Sequence, residues 1–407
     1  MAETMRILHI STRLILGGSQ ENVVLSCEGQ TERGHEVHLA YGPIYGPEGS
    51  MLDRVTAWRS SEGQAIETHE VPDMVRELSP IRDRRCLKQL TALIRELKPD
   101  IVHTHSSKAG ILGRMAGWKA GGRAGTLGVV HTIHGPPFHR YEKTWRNVLY
   151  VASERIAAKR CHAIISVCDA MTQQFRAAGI GRPEQYTTVR SGIETGPYLA
   201  PISDEERATQ HEALGLSPDD FVVGTVSRIS DLKGHADLVQ ALTPLMREHP
   251  QIKLLWVGDG WLRDSLEASL NDLGLRDRVV ITGMVAPEYV PGLMKLMDVL
   301  VHPSYREGLP RAVVQGMLSG LAVVATDVDG TPEVCIDGET GLSYSPGDTG
   351  ALRKHLRRLV QDESLRRGLG DRARSHCADA YSAQRMVDET EKVYARVLEG
   401  LRGTARQ

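Results

Sequence analysis

Short β-branched runs recur along the chain at 6–11, 37–41, 101–105, 129–134, 163–167 and 187–190, and again at 221–227, 252–257, 279–282, 299–302 and 322–326. They end in Gly, Ser, Thr or His and alternate with segments whose apolar positions recur at helical spacing. That is the pattern of a parallel sheet with crossover helices. The two series are separated around Gly196-Pro197-Tyr198-Leu199-Ala200-Pro201, followed by the acidic Asp204-Glu205-Glu206, which reads as a linker. The expected fold class is therefore α/β with two doubly wound domains, 1–197 and 198–378. Residues 379–407 form a terminal helix with Met386, Val393, Tyr394 and Leu398 at helical spacings, expected to pack back towards the N-terminal domain.

Composition narrows the class without naming a function. With 407 residues, 41% hydrophobic and 25% charged, the chain is an ordinary globular protein and not a disordered one. Its six cysteines form no C-x-x-C pair, the apolar stretch 7–10 is too short for a signal peptide, and no run of about 18 apolar residues is present. A reduced, cytoplasmic protein is expected. The formal charge of -2 hides an asymmetry: residues 1–198 carry 25 basic and 20 acidic side chains, and the window 82–160 alone carries 16 and 5. No stacking-aromatic cluster or recognised motif points that window at nucleic acid.

In open α/β sheets ligands sit beyond the carboxyl ends of strands, so polar residues and glycines just after each strand are the candidates. After the first strand, Gly17-Gly18 leads into a helical segment, but neither a G-x-G-x-x-G fingerprint nor a P-loop is present. His103, His105, His131 and His134 follow strands without Cys or carboxylate at ligand spacing, so no metal site is expected. Among them His134 stands immediately before Gly135-Pro136-Pro137, where the chain must turn. In the second half, Arg228 and Lys233 flank one strand-to-helix loop, a fork and a point charge suited to two phosphates of a diphosphate. Glu307 precedes a helix framed by Pro310 and Gly320, where the helix dipole favours its carboxylate and sugar hydroxyls can donate to it. Gln315 lies further along the same helix.

These residues together resemble a known family. Gly17-Gly18, His134-Gly135, Ser191-Gly192-Ile193-Glu194, Gly224…Arg228…Lys233-Gly234, Val257-Gly258-Asp259-Gly260 and Glu307-Gly308-Leu309-Pro310…Gln315-Gly316-Met317 resemble the retaining glycosyltransferases of family 4, and 103–110 resembles bacterial members that build surface polysaccharides. The resemblance implies the GT-B fold, two Rossmann-like domains facing a cleft. It implies a metal-independent hexosyltransferase with no cofactor, using a nucleotide-sugar, expected to be a UDP-sugar, as co-substrate, and a glycan or lipid-linked acceptor. By resemblance Arg228 and Lys233 hold the diphosphate, Glu307 contacts the sugar and His134 sits near the reacting carbon. Gly17, Gly18, Gly258, Gly308 and Leu309 shape the donor site, and Gly283 and Met284 border the base. Gln315 stands where the family usually has a second glutamate for the ribose. A small soluble acceptor, or a catalytically silent sugar-nucleotide-binding protein, remains the alternative.

The basic window then has a candidate meaning as an anionic membrane face on the inner leaflet. Residues 143–160 put Trp145, Val148, Leu149, Ala152 and Ile156 on one helical stripe, with Lys143 and Arg146 off it and Arg155, Lys159 and Arg160 in the last turn. Taken alone, that stripe reads as core-facing.

Overall fold

The computed structural model of the chain describes residues 4–46 and 48–404. Its described residues form two compact units, one built from 4–46, 48–192 and 383–404, the other Ile193–Ser382. The break comes a few residues before the expected linker. That linker segment instead forms a short helix, Thr195–Leu199, which buries Tyr198 and packs on the helix Arg311–Leu318 of the second unit.

In the first unit, seven parallel strands form one sheet: β1 (Arg6–Ser11), β2 (Glu36–Tyr41), β3 (Glu67–Glu70), β4 (Ile101–His105), β5 (Gly128–Ile133), β6 (Ala163–Ser166) and β7 (Tyr186–Thr188), in the order β3-β2-β1-β4-β5-β6-β7. In the second, β8 (Phe221–Val226), β9 (Ile252–Val257), β10 (Val279–Gly283), β11 (Val299–His302), β12 (Ala322–Thr326) and β13 (Leu342–Tyr344) are ordered β10-β9-β8-β11-β12-β13. Strand order reverses between β1 and β4 in one sheet and between β8 and β11 in the other, which makes those two pairs the switch points where a doubly wound sheet opens a crevice. β3 and β13 escape a search for apolar runs, because Glu67-Thr68-His69-Glu70 has no apolar residue and Leu342-Ser343-Tyr344 is three residues long. Both are edge strands.

Central strands β4, β5 and β12 are buried along their whole length, as expected where both faces are covered. The terminal helix Ala383–Thr404 belongs to the first unit, burying Met386, Val387, Val393 and Tyr394 against Ile7, Leu25, Ile101, Val130 and Ile165. It approaches the helix Gly18–Glu32 so closely that a Cβ on Gly29 would stand 2.7 Å from Val387 Cγ2.

One expectation is reversed. The helix Thr144–Ala158 turns its apolar stripe outward, leaving Trp145 60% and Val148 65% exposed, with Leu149 and Ile156 also exposed. The cause is a buried ion pair: Arg114, on the helix Ser107–Ala120, meets Glu154 at 2.6 Å with both side chains out of water. Glu154, Ala157 and Ala158 therefore take the inward face. Part of the basic window is thus structural, since Lys108 also pairs with Asp83 and Arg82 with Asp73.

The close approach at Gly29 is testable. Gly29→Val should lower stability by about 1–3 kcal/mol through overpacking, seen as a lower melting temperature. Gly400→Ala in the terminal helix, where nothing lies within 4 Å of the new methyl, should leave it unchanged or raised.

Candidate functional site

At the β8/β11 switch point two loops meet. The loop after β8 runs through Arg228 and Lys233 to the helix His235–Glu248, and the loop after β11 runs from Pro303 to the helix Arg311–Leu318. Their backbones are locked together: Tyr305 N–H donates to the Leu232 carbonyl at 2.8 Å, and Ser304 Oγ donates to the same oxygen at 3.3 Å. Gly234 has φ +66°, and a Cβ there would lie 1.9 Å from the Pro303 carbonyl oxygen, so no other residue fits without displacing a loop. Gly258 is constrained in the same way, with φ +142° and a Cβ that would stand 2.1 Å from the Ser227 carbonyl. It bridges Gly283, which closes β10 with φ +73°, and Met284 follows half-exposed.

This locking brings Lys233 Nζ to 2.5 Å and His302 Nε2 to 2.9 Å from the same oxygen, Glu307 Oε1. Burial alone would raise the Glu307 pKa; the neighbouring Lys233 ammonium and His302 ring override it and hold the carboxyl well below the usual carboxylate range. Glu307 is further fixed by its backbone N–H, which donates to Asp329 Oδ2 at 2.8 Å. His235 donates Nε2–H to the Arg228 carbonyl at 2.9 Å, and burial lowers its pKa to about 4, so its ring is neutral near pH 7. The Gly308 carbonyl accepts the Gly330 N–H, Leu309 is buried, and Gln315 is buried in the helix capped by Pro310.

Lys233 and Glu307, assigned from the sequence to separate tasks, are therefore direct partners, while Arg228 is tied in through its backbone. His302, Asp329 and His235 were not singled out from sequence. His302 is the last residue of β11, where a polar strand end is a signal; Asp329 and His235 carry none, since only the fold brings them to Glu307 and Arg228.

In the first unit, Gly17 and Gly18 stand at the start of the helix Gly18–Glu32, Gly17 in extended backbone open to any residue. His134 follows β5, and its Nε2 lies 3.1 Å from His105 Nδ1. Behind it His9, His103 and His105 gather ring nitrogens within 4.8 Å of one another. All six of those nitrogens already lie at hydrogen-bond distance from protein partners. Burial lowers His9 to about 4 and takes His103 and His105 well below their usual value.

Comparison with known sequences and structures adds the following. The description "Glycosyl transferases group 1" fits residues 206–376, and "Glycosyltransferase Family 4" fits residues 16–196. The chain is 27% identical, over 96% of both chains, to the UDP-Gal:alpha-D-GlcNAc-diphosphoundecaprenol alpha-1,3-galactosyltransferase of Escherichia coli. It is 25% identical to the capsular polysaccharide biosynthesis glycosyltransferase CapM of Staphylococcus aureus, over 84% of this chain and 90% of that one. In three dimensions it resembles Anabaena Alr3699/HepE, solved with UDP and glucose, at a TM-score of 0.80 and 20% identity, covering 96% of this chain and all of that one.

Two outcomes follow from the geometry. A double-mutant cycle with Lys233→Met and Glu307→Gln, read by urea unfolding, should show a coupling of about 1–3 kcal/mol. The depressed histidines stabilise the fold fully above the unfolded histidine value of about 6.5, and that contribution is lost as pH falls towards their folded values. For His9 alone the loss between pH 7.5 and pH 5 should be about 2 kcal/mol, and His9→Leu should flatten the fall in melting temperature over that range.

Proposed function

The chain belongs to glycosyltransferase family 4, and from that premise we propose that it moves a hexosyl group from a nucleotide-diphosphate sugar to a lipid-linked glycan in bacterial surface-polysaccharide synthesis, with retention at the anomeric carbon. The observation that carries this reading is the Lys233–Glu307 pair at the β8/β11 switch point. It sets a cation and a carboxylate side by side beyond the strand ends, beside the N-terminus of the helix His235–Glu248. That combination suits a diphosphate and the hydroxyls of its sugar. The Escherichia coli relative, whose name gives a UDP-sugar donor and a diphosphoundecaprenol-linked acceptor, supports UDP and a lipid carrier here.

In this reading Lys233 and Arg228 hold the diphosphate, Glu307 accepts hydrogen bonds from the sugar, Gln315 hydrogen-bonds the ribose, and Gly283 and Met284 border the base. His134 stands by the sugar. The acceptor O–H attacks the anomeric carbon from the side the diphosphate leaves; the bond to the leaving phosphate oxygen breaks, and the hydroxyl proton passes to that oxygen. Negative charge grows on the leaving group, and fixed cations in a partly dry site stabilise it with little reorganisation. Those cations take the part a divalent metal would otherwise play, so the reaction proceeds without one. Because the Lys233 ammonium rests on Glu307 before the donor arrives, it is already oriented.

The outward stripe of the helix Thr144–Ala158 supports a peripheral position on the inner face of the plasma membrane. Trp145 and Val148 face water, and the Arg146 guanidinium lies over the Trp145 ring at 5.3 Å from its centroid. An exposed apolar face flanked by Lys and Arg suits the interface of an anionic bilayer.

A thermal-shift screen against UDP-, GDP- and ADP-sugars should raise the melting temperature with the UDP series alone. Lys233→Ala should remain folded and lose about 100-fold or more in turnover, while EDTA leaves the native rate unchanged; near-normal turnover in the variant would sink the assignment. Sedimentation with anionic vesicles should retain the native chain and release a Trp145→Ser, Val148→Ser double variant, and neutral vesicles should retain neither.

A further inference from the structure

Hydrogen bonds run unbroken from the terminal helix to His134. Gln30 Nε2 donates to the Tyr394 hydroxyl at 3.3 Å, and Gln30 Oε1 faces His9 Nε2 at 2.7 Å. His9 Nδ1 faces His105 Nε2 at 2.9 Å, and His105 Nδ1 faces His134 Nε2 at 3.1 Å. On the other arm Tyr394 Oη meets His103 Nδ1 at 2.5 Å, and His103 Nε2 meets Thr132 Oγ1 at 2.6 Å. Gln30, His9, His105 and Tyr394 are almost wholly out of water, where an unmatched donor or acceptor is costly.

A neutral imidazole has one donor nitrogen and one acceptor nitrogen. Rings joined through opposite nitrogens must therefore all point the same way, and the group at the end of the row chooses which. That group is Gln30, with a carbonyl on one side of its amide and an NH2 on the other. With its carbonyl on His9, His9 donates from Nε2 and accepts at Nδ1. His105 then donates from Nε2 and accepts at Nδ1, and His134 donates from Nε2. Tyr394, receiving the Gln30 N–H, gives its own proton to His103 Nδ1, and His103 donates from Nε2 to Thr132. Each contact of the row then joins one donor to one acceptor, and turning the amide over would reverse every member of the row.

We propose that Gln30 is a positioning residue that sets the tautomer of His134 through His9 and His105, so that the His134 ring presents Nδ1 as its lone-pair nitrogen. Such a nitrogen accepts a hydrogen bond from a sugar or acceptor hydroxyl. This use of the row rests on the reading of His134 as standing by the sugar; the row itself does not. The low values to which burial brings His9, His103 and His105 keep these rings neutral near pH 7, which the ordering requires.

The test is long-range 1H–15N correlation NMR of the full chain labelled with 15N-histidine, with His134 assigned by its loss in His134→Ala. In the native chain His9, His105 and His134 should all show the Nε2–H pattern. Gln30→Met should give His134 a mixture of both tautomers, whereas Gln30→Glu, which keeps an acceptor facing His9, should restore Nε2–H. An Nδ1–H pattern at His134 in the native chain, an unchanged pattern in Gln30→Met, or stoichiometric zinc bound by the native chain would each overturn the proposal. The native spectrum decides even if Gln30→Met does not fold. Full transferase activity in His134→Ala with the native pattern intact would remove His134 from the site while upholding the row.

Discussion

A parallel sheet covered on both faces offers ligands no surface except the rim beyond its strand ends, and an opening exists only where the strand order reverses. This chain applies that constraint twice, at β1/β4 and at β8/β11. In the second unit it gathers charge at the strand ends: Lys233 and Glu307 arrive from two loops whose backbones are bonded to each other, and His302 from the end of β11. Gly234 is what permits the loops to meet, since any side chain there would occupy the position of the Pro303 carbonyl. Charge, loop geometry and glycine are a single arrangement, and the chemistry assigned to the site depends on all three.

The first unit treats its switch point differently. Its central strands bring histidines where near-continuous apolar residues are the rule, and the fold satisfies them with a hydrogen-bonded row beside its apolar core. The terminal helix is part of that solution, because Tyr394 supplies the phenol that both Gln30 and His103 use. A helix that lies last in the chain thus completes the polar interior of the domain that comes first.

Much of this was legible in the residues. The β-branched runs marked the central strands of both sheets, because buried parallel strands must be apolar nearly throughout, and Pro310 with Gly320 marked one helix at both ends. Two of the four edge strands were not legible: β3, Glu67–Glu70, is polar and pairs with β2, and β13 is too short to show a period. Lys233 and Glu307 were each found from their place after a strand, but their mutual contact spans 74 positions and follows from topology alone. The direction of the Trp145 stripe could not be read from its spacing, since an apolar stripe taken alone suits the core while the surrounding basic window suits an anionic surface. Here the Arg114–Glu154 pair occupies the inward face, and neither residue announces its partner in the sequence.

In the proposed function the β8/β11 crevice receives the nucleotide diphosphate. Hydrogen exchange followed by mass spectrometry, with and without UDP, tests it most directly. Exchange should slow in the second unit over residues 227–235 and 303–315, the two loops that Gly234 joins. Slowed exchange confined to other segments, with these two unchanged while UDP is bound, would contradict it.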